Sequence, residues 1–314
     1  MKKILCIGSV TTDIIVSPVD HLPPPGTLQA VRGTSMHVGG CASNASIDLA
    51  KLGVPAALCC KLGGDSFGDF VLSEVSRAGV DITGVVRDDA VPTTSSVVCV
   101  NSEGERSFLY NPGSTSEFRA EDVPESLVEE CDIVFVAGAM LLAAFDGAPC
   151  GGLLARTRER GKFTVMDTAW DFDDVWLPKL SAALPGLDLF MPSYEEAARL
   201  SGKEEPAEMA DFFFGQGVKS VIIKLGKDGA YFSPSSEERF SLPTYRSIKP
   251  VDTTGAGDSF CAGFLCGLAQ GWSFRQSGAF ANAVGTHCIQ ATGASTGIRP
   301  IADILRFMET TPLD

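Results

Sequence analysis

The sequence predicts an α/β protein whose mostly parallel sheet is covered by helices on both faces and carries a small β-layer. Three observations support this. Short apolar, β-rich runs at residues 4–7, 133–137, 163–166, 187–191 and 221–224 alternate with segments of 3.6-residue period, and strands buried on both faces read as such continuous runs. Two regions, about 13–38 and 94–112, break that alternation. Two glycine-centred loops each run straight into a helical pattern. One domain spanning 1–314 accommodates all of them.

From the N-terminus, residues 4–7 form the first buried strand. Met1, Lys2 and Lys3 ahead of an apolar run imitate a secretory leader, but Asp13 interrupts it and no small-residue cleavage site follows. No apolar run is long enough to span a bilayer, so a cytoplasmic protein is expected. Pro18, Pro23, Pro24, Pro25 and Gly26 predict strands joined by a proline-rich loop within 13–38. Gly39, Gly40, Cys41, Ala42, Ser43 and Asn44 then lead into a helix with Ala45, Leu49 and Leu52 on its inner face, ending at Gly53 before Pro55. Paired glycines let a ligand touch the backbone, and the Asn44 amide offers a donor and an acceptor to vicinal hydroxyls. The same residues also suit an ordinary turn and cap. Residues 94–110 alternate with strand period around Asn101, Ser102, Glu103 and Gly104, which predicts a β-hairpin. With 13–38 it would form a lid that excludes water from a reacting centre.

The stretch Asp252, Thr253, Thr254, Gly255, Ala256, Gly257, Asp258 is the most informative. Behind it, Cys261, Phe264, Leu265 and Leu268 recur at i, i+3, i+4 and i+7, and Gly271 closes the pattern, so a helix starts near Gly257. Its first-turn N–H groups have no intrahelical partner, and the helix dipole favours an anion there. An Asp in a first turn is ordinarily a cap. Here the glycines flanking Ala256 strip the approach side, which suits a phosphoryl-transfer site with Asp258 at its edge.

Composition removes several classes. A formal charge of −14 leaves no basic stripe for nucleic acid or an anionic membrane, yet a single nucleotide is bound by local dipoles and is not excluded. Ten cysteines without a C-x-x-C pair read as reduced thiols, with Cys6, Cys99 and Cys131 as small buried hydrophobes. Gly8, Ser9 and Val10 after the first strand do not make a G-x-G-x-x-G fingerprint, and no Gly-Lys-Ser/Thr ends a glycine loop. A Rossmann dehydrogenase and a P-loop kinase are thereby disfavoured.

Together the two loops resemble the signatures of the PfkB carbohydrate-kinase family, the ribokinase-like sugar kinases. The C-terminal signature is Asp252 to Phe260 with Gly263. The N-terminal one is Gly39 and Gly40 with Asn44, Ala45, Leu49, Leu52 and Gly53, followed by Gly63, Gly64, Asp65, Ser66, Phe67 and Gly68. The resemblance covers nearly the whole chain. It implies a ribokinase-like three-layer α/β/α sandwich with a β-stranded lid, and phosphorylation of a sugar hydroxyl by ATP with Mg²⁺. It also implies that Asp258 is the general base, that the N–H groups around Gly255, Ala256 and Gly257 form the anion hole, and that Asp13, Gly39, Gly40 and Asn44 contact the sugar. On the nucleotide side it assigns Lys224, Gly226, Gly257 and Asn282.

In the family's Asn-x-x-Glu motif Ser193 replaces the Asn on the nucleotide side, where a hydroxyl is shorter and lacks the amide's two donors for a direct phosphate contact; Glu196 is expected to support Mg²⁺ through water. Asp252 and Thr254, with carbonyls near Ala291 and Gly293, match a monovalent-cation site, so K⁺ activation is expected. Asn111 stands where 2-keto-3-deoxygluconate kinases would need an arginine, which favours a neutral acceptor such as ribose or fructose. A nucleoside kinase or a 2-keto-3-deoxygluconate kinase of the same superfamily is the alternative enzyme. A sugar sensor is the non-enzymatic one, and intact Asp258 argues against it. Free lid edges suggest a homodimer. His37 and Cys41, beside the first glycine loop, are the side chains that would mark a non-sugar pocket.

Overall fold

Successive residues of β1 (Ile4–Gly8) join different apolar clusters, Ile4 and Cys6 on one face and Leu5 and Ile7 on the other. Side chains alternate across a strand, so a strand apolar at every position needs a helix layer on each side. The computed structural model describes residues 1–313. In chain order β2 (Thr11–Ser17), β3 (Gly33–Gly39), β4 (Ala56–Gly63), β5 (Asp81–Asp88), β6 (Ser95–Val100) and β7 (Arg106–Asn111) follow β1. Then come β8 (Ile133–Ala139), β9 (Phe163–Thr168), β10 (Leu189–Phe190), β11 (Ser220–Lys224), β12 (Ala230–Ser233) and β13 (Phe240–Leu242).

Nine strands make the main sheet, in the order β13-β12-β11-β10-β9-β8-β1-β4-β5. Pairing is parallel from β11 to β5 and antiparallel only at the β12 and β13 edge. The chain leaves β1 toward β4 and β5 on one side and returns to β8 on the other. The carboxyl ends of the parallel strands therefore face a crevice where the strand order reverses, the usual place for a ligand in such sheets.

The remaining strands form a second sheet, β3-β2-β6-β7. Its hairpins β2/β3 and β6/β7 are antiparallel, as expected for 13–38 and 94–112, but β2 and β6 pair in parallel, so the layer is mixed. The long path through β4 and β5 between them allows that direction. Register aligns His37, Asp13, Ser96 and Tyr110 in one row across the sheet.

The helix behind the second glycine loop is Ala256–Ala269, beginning one residue before the expected start. It is buried on almost every side rather than along one stripe, because the helix Phe274–Cys288 packs over it. All ten cysteines are free; Cys6 and Cys131 are buried, whereas Cys99 is only half-buried. No described helix is long and apolar enough to cross a membrane.

Candidate active site

The crevice is built from strand ends and two helix starts. On β9 the apolar run ends in Asp167 and Thr168, and β11 ends in Lys224. Lys224 Nζ lies 2.6 and 2.7 Å from the two oxygens of buried Asp167. Burial pulls the Lys224 ammonium down, but Asp167, Cys261 and Glu196 outweigh it and hold the group above the usual lysine range. A Cβ on Gly257 would come within 3.3 Å of that ammonium, so the start of the helix Ala256–Ala269 and the lysine share one space. Gly255 caps this helix at φ 76°, and a side chain there would run into Ala294.

Asp258 sits in the first turn, half-buried. Asn44 Nδ2 donates to its Oδ2 at 2.8 Å, which joins the two glycine loops across 214 residues of sequence. The other end of the amide, Asn44 Oδ1, is buried with no partner. One turn further along the helix Cys41–Lys51, Asp48 Oδ2 accepts from the Ser259 hydroxyl at 2.5 Å. These two rungs fix Asp258 relative to the first loop. Burial raises the Asp258 carboxyl above its ordinary range, with Asn44 and Lys224 opposing. Burial pushes Asp48 up to about 7.

Asp13 of β2 stands over Gly39 so closely that a Cβ on Gly39 would lie 2.0 Å from its Oδ2. It accepts no hydrogen bond from any described residue, and burial pushes it up to about 6. Gly40 starts the helix Cys41–Lys51 beside it. Tyr110, in the same row, has its ring 6.0 Å from Phe172 of the loop after β9, where Trp170 and Trp176 stack edge to face at 4.8 Å. Cys41 donates its N–H to Ser9 Oγ, and desolvation holds the thiol of this half-buried residue well above the usual range. His37 Nε2 lies 2.9 Å from Ser35 Oγ, with Nδ1 turned toward Gly293.

On the nucleotide side, buried Glu196 Oε2 accepts from the Ser193 N–H at 2.9 Å and from Thr168 Oγ1 at 2.8 Å, while Ser193 Oγ accepts from the Glu196 N–H. This is a reciprocal capping box at the start of the helix Tyr194–Ser201. The Ser193 hydroxyl, weighed above only as a phosphate contact, is engaged in that cap. Gly226 follows β11 in an exposed one-turn segment. Asn282 Nδ2 donates to Pro243 O at 2.9 Å and tethers the segment after β13.

Asp252 Oδ1 receives the Thr254 N–H at 2.9 Å and its hydroxyl at 2.7 Å, and Oδ2 receives the Gly293 N–H at 3.0 Å. Burial acts against this carboxylate, but those donors and Arg106 hold it below the ordinary range. Ala291 contributes no contact to Asp252; its N–H bonds the Cys288 carbonyl.

Asp13, Gly39, Gly40, Asn44, Asp258, Gly255, Gly257 and Lys224 are thus brought to one crevice. Sequence reasoning missed Asp167, Thr168, Asp48 and the lid's Arg106. Asp167 had a signal, a carboxylate directly after the apolar run 163–166, where parallel strands end at ligands. Among the described residues no group of three or more His, Cys, Asp or Glu could hold a metal by itself. Mg²⁺ fits only as part of a nucleotide complex, with Glu196 and Asp167 as nearby carboxylates, in keeping with its preference for phosphates and water.

A bare helix start at the carboxyl edge of a parallel sheet, with the Asp258 carboxylate in its first turn and a small second sheet beside it, is the arrangement expected of a phosphotransferase acting on an alcohol group. The profile of the pfkB family carbohydrate kinases matches residues 1–301. The chain belongs to that family and is an ATP-dependent kinase of the ribokinase superfamily. The 2-dehydro-3-deoxygluconokinase of Bacillus subtilis is 31% identical over 293 residues, covering 90% of each chain. The ribokinase of Staphylococcus aureus is 24% identical over 320 residues, 96% of this chain and 98% of its own. The structure of Arabidopsis thaliana ribokinase complexed with ribose and ATP shares the fold at a TM-score of 0.87 and 23% identity, over 99% of both chains.

Proposed function

We propose that this chain transfers the γ-phosphoryl group of ATP to a hydroxyl of a small neutral sugar, with Asp258 as general base. The observation that carries this is the Asn44–Asp258 hydrogen bond, beside which Asn44 Oδ1 is left without a donor. A sugar hydroxyl seated there donates to Asn44 Oδ1, and its neighbour faces the Asp258 carboxylate. Burial makes that carboxylate a stronger base than one in water, and Asn44 holds its direction. As the acceptor oxygen bonds to phosphorus, its proton passes to Asp258 and the bond to ADP breaks. The N–H groups at Gly255 to Asp258 and the Lys224 ammonium stabilise the charge on the transferred group. Bound with the nucleotide, Mg²⁺ supplies charge neutralisation on the phosphate oxygens. In this reading Lys224, Gly226 and Asn282 border the nucleotide, and Glu196 supports its Mg²⁺ through water.

Charge favours a neutral acceptor. Asp13 and Asp258 face the pocket, while Lys224 and Arg106 are committed to Asp167 and Asp252. The side chain of Asn111 is turned to the Gly113 N–H. The Bacillus subtilis relative makes an acidic sugar the second reading. A phosphorylation panel separates them: ATP, Mg²⁺ and K⁺ with ribose, fructose, tagatose, 2-dehydro-3-deoxygluconate and several nucleosides. Strong turnover is expected on a neutral sugar; turnover confined to the carboxylated one overturns this assignment. Ile14, Met36, Val97 and Leu109 occupy the lid row facing away from Asp13, with Met36 and Leu109 exposed, which supports a homodimer through the small sheet.

A further inference from the structure

The residues at Asp252 do not fit a bound monovalent cation. A carboxylate oxygen has about two lone-pair sites, and Asp252 Oδ1 already accepts from Thr254 N–H and Thr254 Oγ1 with Arg106 Nη1 3.1 Å away, while Oδ2 accepts from Gly293 N–H. A hard cation needs oxygens whose lone pairs are turned toward it. Two carbonyls that could serve, those of Thr254 and Ala294, instead converge on the Cys288 thiol at 3.3 and 3.1 Å. Arg106 also reaches Thr253 Oγ1 at 3.3 Å and hydrogen-bonds Thr254 Oγ1, so the guanidinium touches three consecutive residues of the loop.

We propose that Arg106 is a built-in replacement for the activating monovalent cation, a charge carried by the lid onto Asp252, so that turnover does not require K⁺. The inference rests on the kinase reading above. Asp252 lies three residues before Gly255, and an uncompensated anion there would oppose charge developing on the transferred phosphoryl group. Arg106 opens β7, and Phe108 and Tyr110 follow on the same face. One strand thus brings a cation to the anion-binding loop and an aromatic ring to the acceptor pocket, and both arrive only when the lid lies over the crevice.

The test replaces KCl by tetramethylammonium chloride at constant ionic strength, using the full chain and the best acceptor of the panel. Wild-type rates should agree within about twofold. Arg106→Gln should fall about tenfold in tetramethylammonium and regain most of that loss in K⁺. Wild-type stimulation of severalfold by K⁺, or a loss in the variant that K⁺ does not restore, overturns the proposal. Melting with MgATP gives a second readout that needs no acceptor. The variant alone should melt about 1–2 °C higher in K⁺ than in tetramethylammonium, and an equal K⁺ effect on both proteins overturns the proposal. If no sugar is phosphorylated, that failure counts against the acceptor assignment and the melting comparison still decides Arg106.

Discussion

The two walls of the crevice differ in how their polar groups are satisfied. On the proposed acceptor wall Asn44 Oδ1 has no partner and the Asp13 carboxylate accepts no hydrogen bond from a described residue. On the nucleotide wall Lys224 is bound to Asp167, Glu196 to Ser193 and Thr168, and Asn282 to a backbone carbonyl. An unmet buried polar group costs about 1–3 kcal/mol. Under the proposed function, a hydroxylated ligand would relieve that penalty at Asn44, whereas phosphate would have to compete with the contacts that Lys224 and Glu196 already make.

The hardest test of that contrast lies where the walls meet. Asp258→Asn should lower kcat by about 10²–10⁴ with little change in acceptor affinity, because the amide keeps its contact with Asn44 but takes no proton. In the wild type, the acid limb of kcat/KM should lie above the ordinary carboxylate range, since burial raises Asp258. Near-normal turnover in the variant would remove the base assignment.

Lys224→Met comes next and should act on both stability and catalysis. It leaves buried Asp167 without its cation, a loss of about 3–5 kcal/mol, and should cut kcat/KM for ATP about a hundredfold. Chemical denaturation and steady-state rates measure the two. On the opposite wall Asn44→Ala should raise the acceptor KM by about ten- to a hundredfold, one hydrogen-bonding amide lost, with KM for ATP unchanged. If both KM values rose together, the two walls would not be independent.

Asp13→Asn should weaken acceptor binding and yet stabilise the free protein at pH 7. The folded Asp13 carboxyl is raised to about 6 from an unfolded value near 3.8. The folded state thus binds the proton more tightly, and stability is lost as pH rises between those values. Replacing the charge should recover about 1 kcal/mol at pH 7, after allowance for solvent at a half-buried site, and the advantage should vanish below about pH 4. The smallest effect is expected of Ser193→Asn. Both residues cap well, so melting should change by less than about 2 °C and KM for ATP by less than about threefold.

How much of this was legible in the sequence depended on how local the cause was. The two helix starts follow from glycines and apolar spacing within about twenty residues, and the structure has both. The strands 4–7, 133–137, 163–166 and 221–224 are contiguous apolar runs and were equally clear. In contrast, β4 contains Cys59, Cys60 and Lys61, β5 is only half-buried, and β13 has three residues, so none carries a clean period. Asp167 and Arg106 acquire meaning only through Lys224 and Asp252, 57 and 146 residues away, and no local pattern marks such a partner. Ser193 and Glu196 carry the Ser-x-x-Glu spacing of a capping box, a local signal that the family motif overshadowed.

The rungs Asn44–Asp258 and Asp48–Ser259 span more than two hundred residues each. They also govern timing. A ribosome that has released residues up to about 250 has made the lid and the helix Cys41–Lys51, yet that nascent chain lacks Asp258 and the glycine loop before it. Domains form as units during synthesis, and here both rungs close only in a late step, when the segment Ala256–Ala269 docks. Under the proposed role of Asp258, a chain shortened before it should be inert however well its first half folds.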